Sequence, residues 1–78
     1  MKKPNDQEIV LWMTQNKVSV SHFASIKKYI HIVCDFGKDA VEEIDFKDFT
    51  TGFFIAEGLS LDKARDLSLT LRYSSKWG

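Results

Sequence analysis

Helix-starting and helix-ending residues divide this sequence into segments of helical length. Asn5 stands three residues before Glu8, the spacing of a capping box, in which each side chain accepts from the other residue's backbone N–H. Gly37 and Gly58 follow apolar segments, and glycine commonly ends a helix at such a place. Between these signals, apolar residues recur at steps of three and four, as on one face of a helix. The pattern predicts an all-α fold.

Two helices are predicted before Gly37. The first helix follows Asn5 and ends near Asn16. The second is capped by Ser19 or Ser21 and stops at Gly37. We expect it to be buried on a broad side that includes Phe23, Ile26, Tyr29, Ile30, Ile32, Val33, Cys34 and Phe36.

Two further helices are predicted after an acidic connector. The third is capped by Asp45 and carries an aromatic stripe of Phe46, Phe49 and Phe53. Gly52 weakens it by about 1 kcal/mol relative to alanine, and leaves room for another helix to pack close. The fourth is capped by Ser60, and its inward stripe is predicted to be Leu61, Ala64, Leu67 or Ser68, and Leu71.

Length and composition set the scale of this fold. A chain of 78 residues, 44% of them hydrophobic, suffices for one small core. We therefore predict a single helical domain over residues 1–78, a compact four-helix bundle. The single cysteine excludes an internal disulfide and favours a cytoplasmic location. No apolar run is long enough for a signal peptide or a membrane span.

Charge is balanced overall but segregated along the chain. Eleven basic and eleven acidic residues cancel, which argues against a purely electrostatic nucleic-acid binder. Residues 17–34 contain three lysines and no acid, whereas residues 35–48 contain six acids and two lysines. A folded chain could therefore present a basic face and an acidic face.

The reactive residues do not form a recognisable catalytic or metal site. His31, Cys34 and Asp35 lie close in sequence, but no CxxC or HxxxH accompanies them. A buried Cys34 and a surface pair between His31 and Asp35 explain them better. The acidic connector lacks the ligand spacing of a calcium loop, and no phosphate loop or nucleophile elbow occurs. We predict no catalytic residue, metal, cofactor or small-molecule substrate.

Basic residues on the second and fourth helices leave two functions open. Singly, each is most simply a solvated surface charge. If the two helices share a face, their serine caps and first-turn N–H groups could bind phosphates. If the two helices do not bind phosphates, the main alternative is a protein-binding module.

Three stretches occur in an order that points to a known family. The second helix opens at Ser19 with apolar residues at fixed steps, and the connector reads "VEEIDFKDF". The fourth helix opens with "GLS", carries Leu71 and Arg72 about three turns later, and is followed by Tyr73, Lys76 and Trp77. From about Glu8 to Trp77 this order resembles the SAM-like core-binding domain of tyrosine recombinases, the family of phage integrases and Xer-type proteins.

The resemblance implies a DNA-binding module whose second and fourth helices lie against double-stranded DNA. Phosphate contacts would dominate, with base readout in the major groove. The contacts it implies are Ser19, Lys27, Lys28, Ser60, Lys63, Arg72 and Lys76. The family's arginine pair, His-x-x-Arg segment and tyrosine nucleophile belong to a second domain and are absent here. We therefore expect a recombinase fragment or stand-alone relative that is not an enzyme by itself.

The alternative is a small cytoplasmic interaction module, such as a phage- or plasmid-encoded regulator that docks on a host protein. Zero net charge and many aromatic residues favour it. Trp12, Trp77 and some of Phe46, Phe53 and Phe54 exceed what a small core should hide. A contiguous basic face would favour DNA, whereas exposed aromatic residues beside the acidic connector would favour a protein partner.

Overall fold

A computed structural model describes residues 3–74, and within this range the all-α prediction is confirmed. There is no strand among these residues, and the helices are α1 Asp6–Gln15, α2 Phe23–Phe36, α3 Glu43–Ala56 and α4 Leu61–Arg72. Two short 3₁₀ turns, Val20–His22 and Lys38–Ala40, precede α2 and α3. The described residues form two compact units, one before and one after the boundary between Gly37 and Lys38. No helix within residues 3–74 combines the length and apolar character needed to cross a membrane.

The start of α1 is the predicted capping box. The Asn5 side chain accepts from the Glu8 N–H at 2.9 Å, and the Glu8 carboxylate accepts from the Asn5 N–H at 3.0 Å. These bonds satisfy backbone donors that a helix start leaves without partners. The core of this unit is formed by Ile9, Trp12, Met13, Val18, Ile26, Ile30 and Cys34.

The start of α2 differs from the prediction. Ser19 accepts from the Ser21 N–H at 3.3 Å and so caps the 3₁₀ turn, while α2 begins only at Phe23 without a side-chain cap. Its end at Gly37 is as predicted, with a left-handed φ of 86° that suits glycine.

The predicted broad burial of α2 is wrong. Only Ile26, Ile30 and Cys34 are buried, at four-residue steps along one face. Ile32 and Phe36 remain 44% and 77% exposed. Helical residues are about 100° apart, so Ile32 points away from the buried row.

The predicted start of α3 is wrong by a few residues. Its N-cap is Glu42 and its first residue is Glu43, so Asp45 lies within the first turn and is not the cap. Acidic side chains there interact favourably with the positive end of the helix dipole. The acidic first turn therefore favours a helix start at Glu43, although no side-chain cap marks that position.

Helices α3 and α4 form an antiparallel hairpin. Thr51 donates to Ser68 at 3.4 Å, and Tyr73 donates to Glu43, so the start of α3 lies beside the end of α4. Ser60 caps α4 as predicted, accepting from the Lys63 N–H at 3.2 Å. Their buried residues are Phe46, Thr50, Phe54, Ala64, Leu67, Ser68 and Leu71.

The aromatic stripe of α3 is not its buried row, and two expectations for this hairpin fail. Phe49 is 69% exposed, because the buried row runs through Phe46, Thr50 and Phe54 at four-residue steps. Leu61, in the first turn of α4, is 46% exposed. Among residues 3–74, no atom lies within 4 Å of a Cβ added at Gly52, so no helix of the described chain packs close to that glycine.

Candidate interaction surfaces

The predicted DNA contacts of the first unit are on the surface but differ in their surroundings. Ser19 is exposed at the 3₁₀ turn, and Lys28 is exposed on α2. Lys27 is half-buried, because its ammonium pairs with Asp6 at 2.8 Å and lies 5.8 Å from the centre of the Phe23 ring. Lys28 is therefore the lysine of this pair whose charge faces solvent most fully.

The predicted contacts of the second unit lie at opposite ends of α4. Ser60 and Lys63 belong to its first turn, and Arg72 is its last residue. Nine residues separate Lys63 from Arg72, which corresponds to about 14 Å along a helix. The two cations do not form one cluster, and Lys76 lies outside the described residues.

Arg72 is held by contacts within its own unit. Its guanidinium donates to the Val41 carbonyl at 3.3 Å and lies 5.2 Å from the centre of the Phe46 ring. A carboxylate oxygen of Asp39 is 3.9 Å away, and the Arg72 side chain is only 13% exposed. The arginine thus ties the connector before α3 to the end of α4.

Tyr73 makes a second link between the same two ends. Its hydroxyl donates to the Glu43 carboxylate. That hydrogen bond raises the pKa of the Tyr73 phenol above its ordinary value, because the bond is made only by the protonated phenol.

An aromatic side chain lies on the surface beside the acidic connector. Phe49 is 69% exposed, and Glu42, Asp45 and Phe53 lie at helical steps from it on the same side of α3. Both acids are exposed, and Phe53 is half-buried. We call Glu42, Asp45, Phe49 and Phe53 the acidic aromatic face.

Three of the aromatic residues predicted to exceed the core are buried, whereas Phe53 is half-buried. Trp12, Phe46 and Phe54 are 7%, 5% and 0% exposed and belong to the cores. Trp77 lies outside the described residues. The exposed aromatic side chains within residues 3–74 are Phe36, Phe49 and Tyr73.

An apolar groove runs between α3 and α4. Its volume is about 570 Å³, and it is lined by Ile44, Lys47, Asp48, Thr51, Gly52, Ile55, Leu61 and Arg65. Ile44, Ile55 and Leu61 are 65%, 45% and 46% exposed. The sequence carried a signal for this surface, since the apolar residues of α3 surround the helix instead of forming one stripe.

His31, Cys34 and Asp35 do not form a common site, because each has different surroundings. Cys34 is buried, as predicted. The predicted pair between His31 and Asp35 is wrong, because His31 Nε2 lies 3.3 Å from the Pro4 carbonyl and Asp35 pairs with Lys3 at 2.8 Å. These contacts attach residues 3–4 to α2. Among residues 3–74, histidine, cysteine and acidic side chains form no group of three placed to hold a metal ion.

Comparison with known proteins adds no assignment. No protein-family model, curated protein or solved structure matches the chain.

Proposed function

We propose that this chain is a protein-interaction module whose partner binds the acidic aromatic face. The observation that carries the proposal is Phe49, a phenylalanine with 69% of its surface exposed beside exposed Asp45. Burying a phenylalanine side chain stabilises an association by about 1.5–3 kcal/mol, and aromatic anchors often dominate interface energetics.

The surrounding charge defines the partner's chemistry. Glu42 and Asp45 are exposed on the same side of α3 as Phe49. A complementary surface would present an apolar pocket for the ring with lysine or arginine beside it. Opposite charges would speed association and fix the orientation of the bound protein.

A comparison of two variants tests this proposal. Immobilised wild-type chain, Phe49→Glu and Leu11→Glu are incubated with the same cell extract, and retained proteins are quantified by mass spectrometry. Leu11 is a matched control, because it is a 50% exposed apolar residue on α1. We expect at least one protein to be retained by the wild type and by Leu11→Glu but lost with Phe49→Glu.

Any retained protein is then purified and titrated directly. Its affinity should fall at least tenfold with Phe49→Glu and fall again at higher salt, since the acids contribute screened attraction. Equal retention by all three chains would contradict the proposal.

DNA binding is a second candidate, supported by exposed Lys28 and by the Ser60-capped start of α4 with Lys63. In this proposal the chain is a DNA-binding module like the core-binding domain of an integrase, taking part in DNA recombination or integration with a catalytic domain elsewhere. Its phosphate contacts would be Ser19, Lys27, Lys28, Ser60, Lys63, Arg72 and Lys76.

A salt titration with a short labelled duplex tests the DNA proposal. The logarithm of affinity should fall with the logarithm of salt concentration by about 0.9 for each phosphate contact. Lys28→Ala and Lys63→Ala should each reduce that slope by about one contact. Arg72 is a poor test position, because its side chain also holds the connector. Absence of binding at about 50 mM salt, where phosphate contacts are strong, would refute this candidate.

The cytoplasm is the compartment we propose for either function. The sequence contains one cysteine, Cys34, and it is buried. A reducing compartment suits such a chain.

A further inference from the structure

The groove between α3 and α4 carries apolar side chains that its own unit leaves uncovered. Ile44 lies in the first turn of α3 and Ile55 in the last, about 16 Å apart along the helix, and Leu61 lies at the nearby start of α4. All three line the groove and are at least 45% exposed.

The middle of the groove is shaped by a glycine that its own unit does not explain. Gly52 is exposed inside α3, and a Cβ there would meet nothing within 4 Å. A glycine inside a helix is unfavourable relative to alanine. The missing side chain leaves space in which a second helix surface could approach the backbone.

The charges on the groove are of both signs. Lys47, Asp48 and Arg65 all line it, and within residues 3–74 none of the three takes part in an ion pair. A contact between two copies related by a two-fold axis repeats each pairing twice. Asp48 of each copy can therefore pair with Arg65 of the other.

The positions along α3 suit such a symmetric contact. If two α3 helices cross in antiparallel orientation at the middle of the groove, Ile44 of one copy faces Ile55 of the other. Residues 47–48 then face residues 51–52, where Gly52 allows close approach. Apolar contacts lie at both ends and the opposite charges lie between them.

We propose that this groove binds a second copy of the chain, forming a two-fold dimer through α3. The groove is a surface different from the acidic aromatic face, and dimerisation through it does not depend on what that face binds. The contact is small, so we expect a dissociation constant on the order of 10–500 μM once the entropy of association is included.

Sedimentation equilibrium from about 10 μM to 1 mM tests the dimer. The wild type should shift from monomer to dimer across this range. Ile55→Glu should weaken the dimer at least tenfold, because it places an acid in an apolar contact twice. Phe49→Glu is the matched control on the same helix but outside the groove, and it should leave the dimer unchanged.

A charge reversal separates the proposed pairing from general loss of structure. Asp48→Lys should weaken the dimer, and adding Arg65→Glu should restore it, while circular dichroism confirms that each variant is helical. A wild type that stays monomeric at 1 mM overturns the proposal. So does a dimer that Ile55→Glu leaves intact or that Phe49→Glu disrupts equally. Because partner capture is read out on Phe49→Glu and dimerisation on Ile55→Glu, either proposal can fail without the other.

Discussion

Replacing Arg72 by alanine should destabilise the chain, because the guanidinium connects the start of α3 to the end of α4. The hydrogen bond to Val41 is at the surface, so it contributes about 1.5 kcal/mol, the low end for a charged donor. The contact with the Phe46 ring adds about 0.5–1 kcal/mol. Asp39 is fully exposed and adds little. We therefore expect a loss of about 2 kcal/mol.

Urea unfolding followed by circular dichroism measures this loss. For a domain of this size the dependence of the unfolding free energy on urea is about 1 kcal/mol per molar, so the midpoint should fall by about 2 M. Arg72→Lys keeps the charge but loses the planar donor geometry. Its urea midpoint should therefore lie between those of the wild type and Arg72→Ala.

Lys28→Ala is the matched control, since Lys28 is an exposed cation on α2. Its midpoint should shift by no more than about 0.5 M, because surface substitutions usually change stability by less than about 0.5 kcal/mol. If Arg72→Ala and Lys28→Ala have the same midpoint, the structural role given to Arg72 is refuted.

Three further predictions concern local features of the second unit. Gly52→Ala should raise the stability of the dilute, monomeric chain by about 0.5–1 kcal/mol in thermal unfolding, whereas Gly58→Ala should lower it by about 1 kcal/mol. Of these two glycines, Gly58 has a left-handed φ of 97° and Gly52 does not. Equal effects of the two substitutions would contradict this difference in backbone conformation. Ser60→Ala should cost about 1 kcal/mol by loss of the α4 cap, and Ser60→Gly should cost less, as urea unfolding would show. The pKa of Tyr73 is raised in the fold by its bond to Glu43, so stability from this bond is present below the ordinary tyrosine pKa of 10.0 and is lost as pH rises through the folded-state pKa. Absorbance titration near 295 nm should show a high-pH phenol that is absent in Tyr73→Phe and whose pKa falls toward 10.0 in Glu43→Ala. A Tyr73 pKa that is unchanged in Glu43→Ala would contradict the bond.

Helix boundaries set by local hydrogen bonds could be predicted from the sequence. Asn5 and Ser60 cap helices as their spacing indicates, and Gly37 and Gly58 adopt left-handed conformations after α2 and α3. Each feature depends on residues no more than a few positions apart. The start of α3 was missed because Glu42 caps it without a side-chain hydrogen bond, so no capping residue marks the place.

Burial within α3 could not be predicted by the same reasoning. Apolar residues surround this helix, so several buried stripes are compatible with the sequence. The structure instead buries Thr50 and leaves Phe49 exposed. A polar threonine gives a weak signal of burial, and the exposed phenylalanine became recognisable only once the buried row was known.

The surroundings of the predicted basic contacts also depend on tertiary structure. Arg72 donates to Val41, which is 31 positions away in the chain, and Lys27 pairs with Asp6 on another helix. No local pattern distinguishes these engaged cations from exposed Lys28. Basic residues read from sequence alone are therefore candidates for structural as well as binding roles.

Site-specific photocrosslinking tests directly whether a partner protein binds at Phe49. A benzophenone amino acid replaces Phe49 in one chain and exposed Leu11 in another, and each is irradiated in cells that encode the protein. We expect an adduct with one other protein from position 49. It should be absent from position 11 and lost when Asp45→Lys is added. No adduct at position 49, or the same adducts from both positions, would contradict it.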